Sequence, residues 1–410
     1  MNKNSKLFLT YIRWKTWALN NLLLPLADQI AAISPDKAGQ IQSGISVKNT
    51  GKPSLLVVRL DAIGDYILFR NFLPVLRQHP KYQTHSITLC GNILWKDIAE
   101  TFDREHVDHF IWVDKKKLVR KPLYRLRMMR KLAAYSFDTI IQPAYQRDYF
   151  TDAVVRAPKS EERIACIGGT GNAGGRHKRM ADALFTKLLP SADGNMFEFM
   201  RNREFFSQLL PGAYLPAGTS ITPNQKGLAG LPEKYIILFP GASAAFKQWP
   251  AANFAEVAKK LHAAGEQLVI AGSPADSVLA ADIIRLSGLS TIINLCGKTG
   301  LTDLVSLIAG AQLLLCGDTG AYHIGAATGI KVLCINNATY YKIFMPYPPE
   351  MGMDIGFIYP PEVDALSEDE RVKRFGGGPV LDIKSISVEK VMLRVNESLK
   401  ELEKFKQAGQ

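Results

Sequence analysis

Cys316-Gly317-Asp318-Thr319-Gly320-Ala321-Tyr322-His323-Ile324-Gly325-Ala326-Ala327-Thr328-Gly329 reads as the end of a buried strand, a turn and the first three turns of a helix. The apolar run 312–316 enters it, and Gly329 leaves it. A helix start presents free N–H groups that suit a pyrophosphate. Gly320 clears space there and Thr319 adds a hydroxyl donor. The small face Gly325, Ala326 and Ala327 lets the helix approach a sheet closely. Asp-Thr-Gly also occurs in aspartic proteases, but those need a second such aspartate in an all-β setting, and the chain has no second Asp-Thr-Gly or Asp-Ser-Gly. His323 falls one turn into the helix, where a lone histidine is more often structural than catalytic.

Outward from this block the pattern alternates. Short β-branched or apolar runs at 55–60, 87–90, 109–113 and 139–141 are separated by longer mixed segments, as βαβ units require. A stretch rich in Gly, Pro, Thr and Asn at 212–233 reads as a linker. A second series follows at 235–239, 267–271, 291–295, 312–316 and 331–335, with helical patterns at 253–264 and 301–310. The expectation is an α/β protein of two Rossmann-like domains: a helical leader at 1–50, an N-terminal domain at 51–220 and a C-terminal domain at 221–410. A chain of 410 residues exceeds the usual size of one core. Ligands of such sheets sit at the carboxyl ends of the strands.

Three further segments end strands. Arg59-Leu60-Asp61-Ala62-Ile63-Gly64-Asp65 leads into an apolar helix. Gly64 permits a tight turn, and a carboxylate at Asp65 is favoured by the helix dipole, either as a proton acceptor or only as a cap. No GxGxxG is present, so this is no dinucleotide fingerprint. Pro240-Gly241-Ala242-Ser243-Ala244-Ala245-Phe246-Lys247-Gln248-Trp249-Pro250 combines a small-residue loop, which lets an anion reach backbone N–H groups near Ser243, with the point charge of Lys247. The alternatives are a solvated lysine and a tryptophan that anchors the next helix. In Ala271-Gly272-Ser273-Pro274-Ala275-Asp276 the acid either hydrogen-bonds a ribose diol or caps a helix.

Composition narrows the class. Hydrophobic residues make up 47% and charged residues 21%, ordinary for a folded domain, whereas the formal net charge of +12 favours anionic partners. Nucleic acid is not expected, because no recognition module accompanies the charge. Five scattered cysteines without a CxxC pair read as buried free thiols. No run reaches the ~20 apolar residues of a bilayer span, and the run at 22–26 is too short and proline-cut for a signal peptide, so a cytoplasmic address is expected. Seven dispersed histidines, with no HxxxH or strand-end DxD, leave metal binding unsupported. The aromatic, basic leader suits either an anionic membrane surface or packing on the protein body. The basic stretch 115–131 suits an anionic acceptor, a lipid head group or a solvated helix face. The Gly-rich segment 168–175 reads as a mobile loop.

Taken in order, VVRLDAIGDYILFRNFLPVLR, PGAS…K.WP and LTDLVSLIAGAQLLLCGDTGAYHIGAATGIKV resemble the heptosyltransferase family of glycosyltransferases (family 9, GT-B fold) across roughly residues 54–345. The resemblance implies two Rossmann-like domains with parallel sheets facing across a cleft. It implies inverting, metal-independent transfer of a heptose or related sugar from a nucleoside-diphosphate donor such as ADP-heptose, with no further cofactor. The acceptor implied is a lipopolysaccharide core or other anionic surface glycan or glycolipid, reached from the cytoplasmic face of the inner membrane. By the same resemblance Asp65 is the general base. Ser243, Lys247, Asp276, Asp318, Thr319, Gly320 and His323 surround the donor. The chain departs from the family in its longer leader, in an aspartate at 276 where glutamate is commoner, and in NNATYYKIFMPY at 336–347, which replaces a Gly-Pro-Thr turn. Two other classes compete. The Gly64–Asp65 helix start argues against a nucleotide-sugar epimerase on the same scaffold, and Asp65 together with Lys247 argues against a non-catalytic sugar-nucleotide binder.

Overall fold

A computed structural model of the protein describes residues 51–169, 175–378 and 381–408. The leader 1–50 and residues 170–174 of the Gly-rich segment lie outside the described residues.

Two six-stranded parallel sheets are present. The first comprises β1 (Ser54–Arg59), β2 (Ser86–Asn92), β3 (His109–Val113), β4 (Ser136–Gln142), β5 (Lys159–Cys166) and β6 (Lys187–Leu189), in the order β3-β2-β1-β4-β5-β6. The second comprises β7 (Ile236–Phe239), β8 (Leu268–Ile270), β9 (Ile293–Asn294), β10 (Leu313–Gly317), β11 (Lys331–Ile335) and β12 (Ile355–Ile358), in the order β12-β11-β10-β7-β8-β9. Read from its other edge, the second sheet repeats the doubly wound order of the first. Central strands such as β1, SLLVVR, and β10, LLLCG, are buried along their whole length. That is why they read as unbroken apolar runs: a parallel strand has helices over both faces.

The expected strands 109–113 and 331–335 coincide with β3 and β11, and the helix expected at 301–310 is Leu301–Gly310. No helix or strand lies between Leu209 and Ile236, where a linker is expected. Three strands have no sequence signal. β5 opens Lys-Ser-Glu-Glu-Arg and is only partly buried there, β6 is three residues long, and β12 contains Gly356. Their place is set by neighbouring strands rather than by an apolar run of their own.

By its contacts the described chain divides into two compact units. Among the described residues, one holds 51–60, Arg77–Leu94 and Val107–Ser191; the other holds Asp61–Leu76, Trp95–His106 and those from Ala192 onward. The first is built on Leu56, Val58, Ile140, Val154 and Met129, the second on Ile236, Leu238, Val257, Leu313 and Ile335. The helix that follows β1 therefore packs in the unit of the second sheet. Residues 219–221 secure it: Thr219 Oγ1 donates to Ile67 O at 2.6 Å, Ser220 N to Asn71 Oδ1 at 2.9 Å, and Ile221 N to Ala327 O at 2.8 Å.

Candidate functional site

β7 and β10 are neighbours, and the chain proceeds from them toward opposite edges of the sheet. Beyond their carboxyl ends lies the switch-point crevice where doubly wound sheets bind ligands. Two side chains meet there: Lys247, past the end of β7, forms an ion pair with Asp318, directly after β10. Both are largely shielded, so the pair operates in a lowered dielectric. The loop bearing Lys247 lies against Gly317, where an added Cβ would stand 3.4 Å from Lys247 O. Asn337 Nδ2 holds the same loop by donating to Phe246 O at 3.1 Å. Trp249 is buried, donates to Ile386 O at 2.9 Å and meets Phe254 edge-on, so it anchors the helix Ala251–Ala263.

Asp318 leads to Thr319, the residue preceding the helix Gly320–Thr328. Thr319 makes no side-chain cap, and its Oγ1 is buried without a hydrogen-bond partner. A buried hydroxyl with no partner costs roughly 1–3 kcal/mol, so an acceptor placed at this helix start would be stabilised. The Thr319 side chain leaves the first-turn N–H groups uncapped.

His323, in the next turn, is 4% exposed. Burial first, and the Lys247 charge second, lower its pKa to about 3, so the ring is neutral. Its Nδ1 shares a hydrogen bond of 2.9 Å with Tyr347 Oη. Its other edge lies on Gly64, where a Cβ would stand 2.5 Å from Cδ2 and 3.0 Å from Nε2. Gly320 approaches Ile63 in the same way, at 3.2 Å. The helix Ile63–Ile67, which carries Asp65, therefore rests on Gly320–Thr328 through two glycines. Asp65 is half-buried in the first turn of its helix, and its Oδ2 accepts the Ala62 N–H at 3.1 Å. One carboxylate oxygen thus serves as the cap that the sequence allows.

A buried polar set fixes this helix from behind. Tyr66 stacks on Trp95 with centroids 3.9 Å apart and donates to Asp103 Oδ2 at 2.7 Å; Arg70 pairs with Asp103 at 2.8 Å. Burial raises the Asp103 carboxyl above its ordinary value although Arg70 and Tyr66 pull the other way. Asn202 Nδ2 donates to Leu68 O at 3.2 Å.

Asp276 lies beyond β8. Its Oδ2 accepts from Ser273 N and Ser273 Oγ, both at 2.7 Å, and the carboxylate sits over Gly241, where a Cβ would stand 2.5 Å from it. The capping reading of Asp276 is the one observed, and it ties the β8 loop to the β7 loop. Ser243 is exposed in the latter. All eight sequence-derived candidates lie in the second unit. Tyr347, which holds His323, and the Tyr66–Arg70–Asp103 set are not foreseen; the departure at 336–347 marks only the segment containing Tyr347. In that segment Ala338, Tyr340 and Lys342 adopt positive φ of 64°, 61° and 65°, a conformation non-glycine residues hold only under tight surroundings.

Residues 212–358 match the family model for glycosyltransferase family 9 (heptosyltransferase). A lipopolysaccharide heptosyltransferase 3 of Escherichia coli is 29% identical over 177 residues, 41% of this chain and 52% of that relative, so the match spans about half of its length. The lipopolysaccharide heptosyltransferase 3 of Escherichia coli strain K12 is 25% identical over 298 residues, 70% of this chain and 77% of that relative. Among solved structures, the glycosyl transferase family 9 protein from Veillonella parvula DSM 2008 superposes with a TM-score of 0.65 at 19% identity, covering 85% of this chain and 97% of that one. The fold is accordingly of the GT-B class, two doubly wound parallel sheets. The matched segment contains Lys247, Asp276 and the Asp318–His323 turn, and Asp65 lies outside it.

Proposed function

We propose that the chain, whose residues 212–358 match the family model for glycosyltransferase family 9 (heptosyltransferase), belongs to that family and moves a heptose or related sugar from a nucleoside-diphosphate donor, ADP-heptose, to a lipopolysaccharide core or similar surface glycan at the cytoplasmic face of the inner membrane. The observation that carries this reading is the uncapped start of Gly320–Thr328, with the orphan Thr319 hydroxyl beside Lys247. The donor diphosphate lies at that helix start and accepts the Thr319 O–H. Lys247, drawn from Asp318, supplies positive charge where negative charge grows. Asp276 stands on the ribose side and Ser243 at the loop rim.

In the reaction the acceptor oxygen attacks the sugar C1 as the bond from C1 to the diphosphate oxygen breaks. The leaving diphosphate takes the bonding pair, and Asp65 takes the acceptor proton. Attack opposite the leaving group inverts C1, and no metal is required, because Lys247 and the helix start carry the charge. His323, neutral and locked to Tyr347, holds the Gly64–Asp65 turn at the donor rather than donating a proton itself.

The test is a thermal-shift screen with ADP-, GDP-, UDP- and CMP-sugars, without added metal. Ligand that binds only the folded state raises Tm in proportion to ln(1 + [L]/Kd). Selective stabilisation by the ADP-sugar, lost in Lys247→Ala, is expected. Equal shifts in wild type and Lys247→Ala would overturn the donor site.

A further inference from the structure

The residues 115–131 stay unused by the transfer reaction, and their arrangement points outward. They contain nine Lys and Arg and no Asp or Glu. They fold as two helices, Lys115–Arg120 and Pro122–Ala133. The bend between them is fixed: Asp114 caps the first by accepting Lys117 N at 2.8 Å, and its own N–H donates to Tyr124 Oη of the second at 2.8 Å. Lys115 ties the pair to Asp148 at 2.9 Å.

The second helix buries Arg125, Met128, Met129 and Leu132. Leu123, Arg127 and Arg130, spaced i, i+4 and i+7, form the opposite stripe and face water. Lys116, Arg120, Lys121 and Lys131 are exposed around it. Among the described residues these cations make no ion pair, unlike Lys115 and Lys117. Leu123 stands among them 71% exposed.

Unpaired cations on a rigid face call for a polyanion, and the leucine decides which. A nucleic acid or a soluble glycan phosphate leaves Leu123 in water. An anionic bilayer buries it beneath the head groups while the flanking Lys and Arg stems reach up to the phosphates. We propose that this helix pair docks the protein on an anionic phospholipid bilayer, with Leu123 inserted and Lys121, Arg127, Arg130 and Lys131 in the head-group layer. The proposal rests on the transfer reading only in expecting a membrane-bound acceptor. Among the described residues no helix is long and apolar enough to cross a membrane.

The test uses the full chain and vesicles of phosphatidylcholine with or without phosphatidylglycerol. All five native cysteines are buried, so Leu123→Cys takes an environment-sensitive fluorophore selectively. Its emission is expected to shift to the blue on the anionic vesicles alone. A cation near an anionic surface strengthens partitioning roughly fivefold, so the quadruple variant Lys121→Gln, Arg127→Gln, Arg130→Gln, Lys131→Gln should sediment with anionic vesicles at least about a hundredfold more weakly. Its transfer to a soluble acceptor glycan without vesicles should match wild type. Vesicle binding unchanged in the quadruple variant, or binding with no emission shift, would overturn the proposal by moving the docking elsewhere in the chain. Loss of soluble-glycan transfer in parallel would also overturn it, by making the face an acceptor site. An inactive but vesicle-binding wild type would count against the transfer reading alone.

Discussion

Gly64 and His323 meet with no room for a side chain: a Cβ on Gly64 would stand 2.5 Å from Cδ2 of the imidazole. The two residues belong to segments far apart in sequence, yet their contact joins the helix bearing Asp65 to the helix that starts at the proposed diphosphate site. The proposed base and the proposed donor site are thereby set by one packing contact. Gly64→Ala must push the helices apart and should cost about 1–3 kcal/mol of stability, with a larger fractional loss of turnover than of donor affinity. Adding His323→Ala restores the space. A double-mutant cycle should show coupling of about 1 kcal/mol or more, measured by chemical denaturation, and strictly additive losses would refute the contact.

Thr319 offers a test that separates the free from the liganded protein. Its hydroxyl has no partner in the structure. Thr319→Val should therefore leave the free protein as stable or more stable by up to about 1 kcal/mol. The same variant should bind the ADP-sugar roughly tenfold more weakly, since the hydrogen bond that the hydroxyl donates to the charged diphosphate is lost. Calorimetric titration beside a melting curve reads both. Destabilisation of the free protein with unchanged donor affinity would mean that the hydroxyl serves the fold.

His323 sets a pH dependence. Its pKa in the fold is about 3, against an ordinary 6.5. Above pH 6.5 both folded and unfolded chains hold it neutral, and it contributes no slope. Below that the unfolded chain binds a proton that the folded chain refuses, so stability falls as pH drops toward 3, by at most ~1.4 kcal/mol per pH unit. His323→Asn removes this loss. The stability gap between wild type and His323→Asn should narrow by roughly 2 kcal/mol from pH 7 to pH 5, and parallel stability curves would contradict the buried neutral imidazole.

The Arg70–Asp103 pair supports the same helix, and its two halves should fail differently. Asp103→Asn strands the Arg70 cation in the interior and should cost about 3–5 kcal/mol. Arg70→Met leaves a carboxyl whose pKa burial already raises, so its cost should shrink as pH falls and the group takes up a proton. Denaturation midpoints at pH 7 and pH 5 distinguish the two, and equal pH slopes would count against the buried pair.

What could be read beforehand follows the physics of each element. The stretch Leu313-Leu314-Leu315-Cys316 is legible because a strand covered on both faces must be apolar throughout, and the partly exposed edge strand His109–Val113 is legible through its aromatic and β-branched residues. Lys159-Ser160-Glu161-Glu162-Arg163 gives no such signal, since its half-exposed start is held by pairing with β4. Among the site residues, Lys247, Asp318 and Thr319 are legible as a strand end meeting a helix start. Asp276 is ambiguous in sequence because one spacing serves both a cap and a ribose contact; in the fold it makes the cap. Tyr347 and Asp103 are invisible because their roles arise from contacts with residues distant in the chain, which no local pattern encodes.

The most direct test of the account is turnover and donor affinity of Asp65→Asn, measured on one preparation with the ADP-sugar and an acceptor glycan. If Asp65 removes the acceptor proton while Lys247 and Thr319 hold the donor, kcat should fall by roughly a hundredfold to ten-thousandfold with the donor Kd unchanged within about a factor of two. Retained turnover, or a donor affinity that falls as far as kcat does, would contradict it.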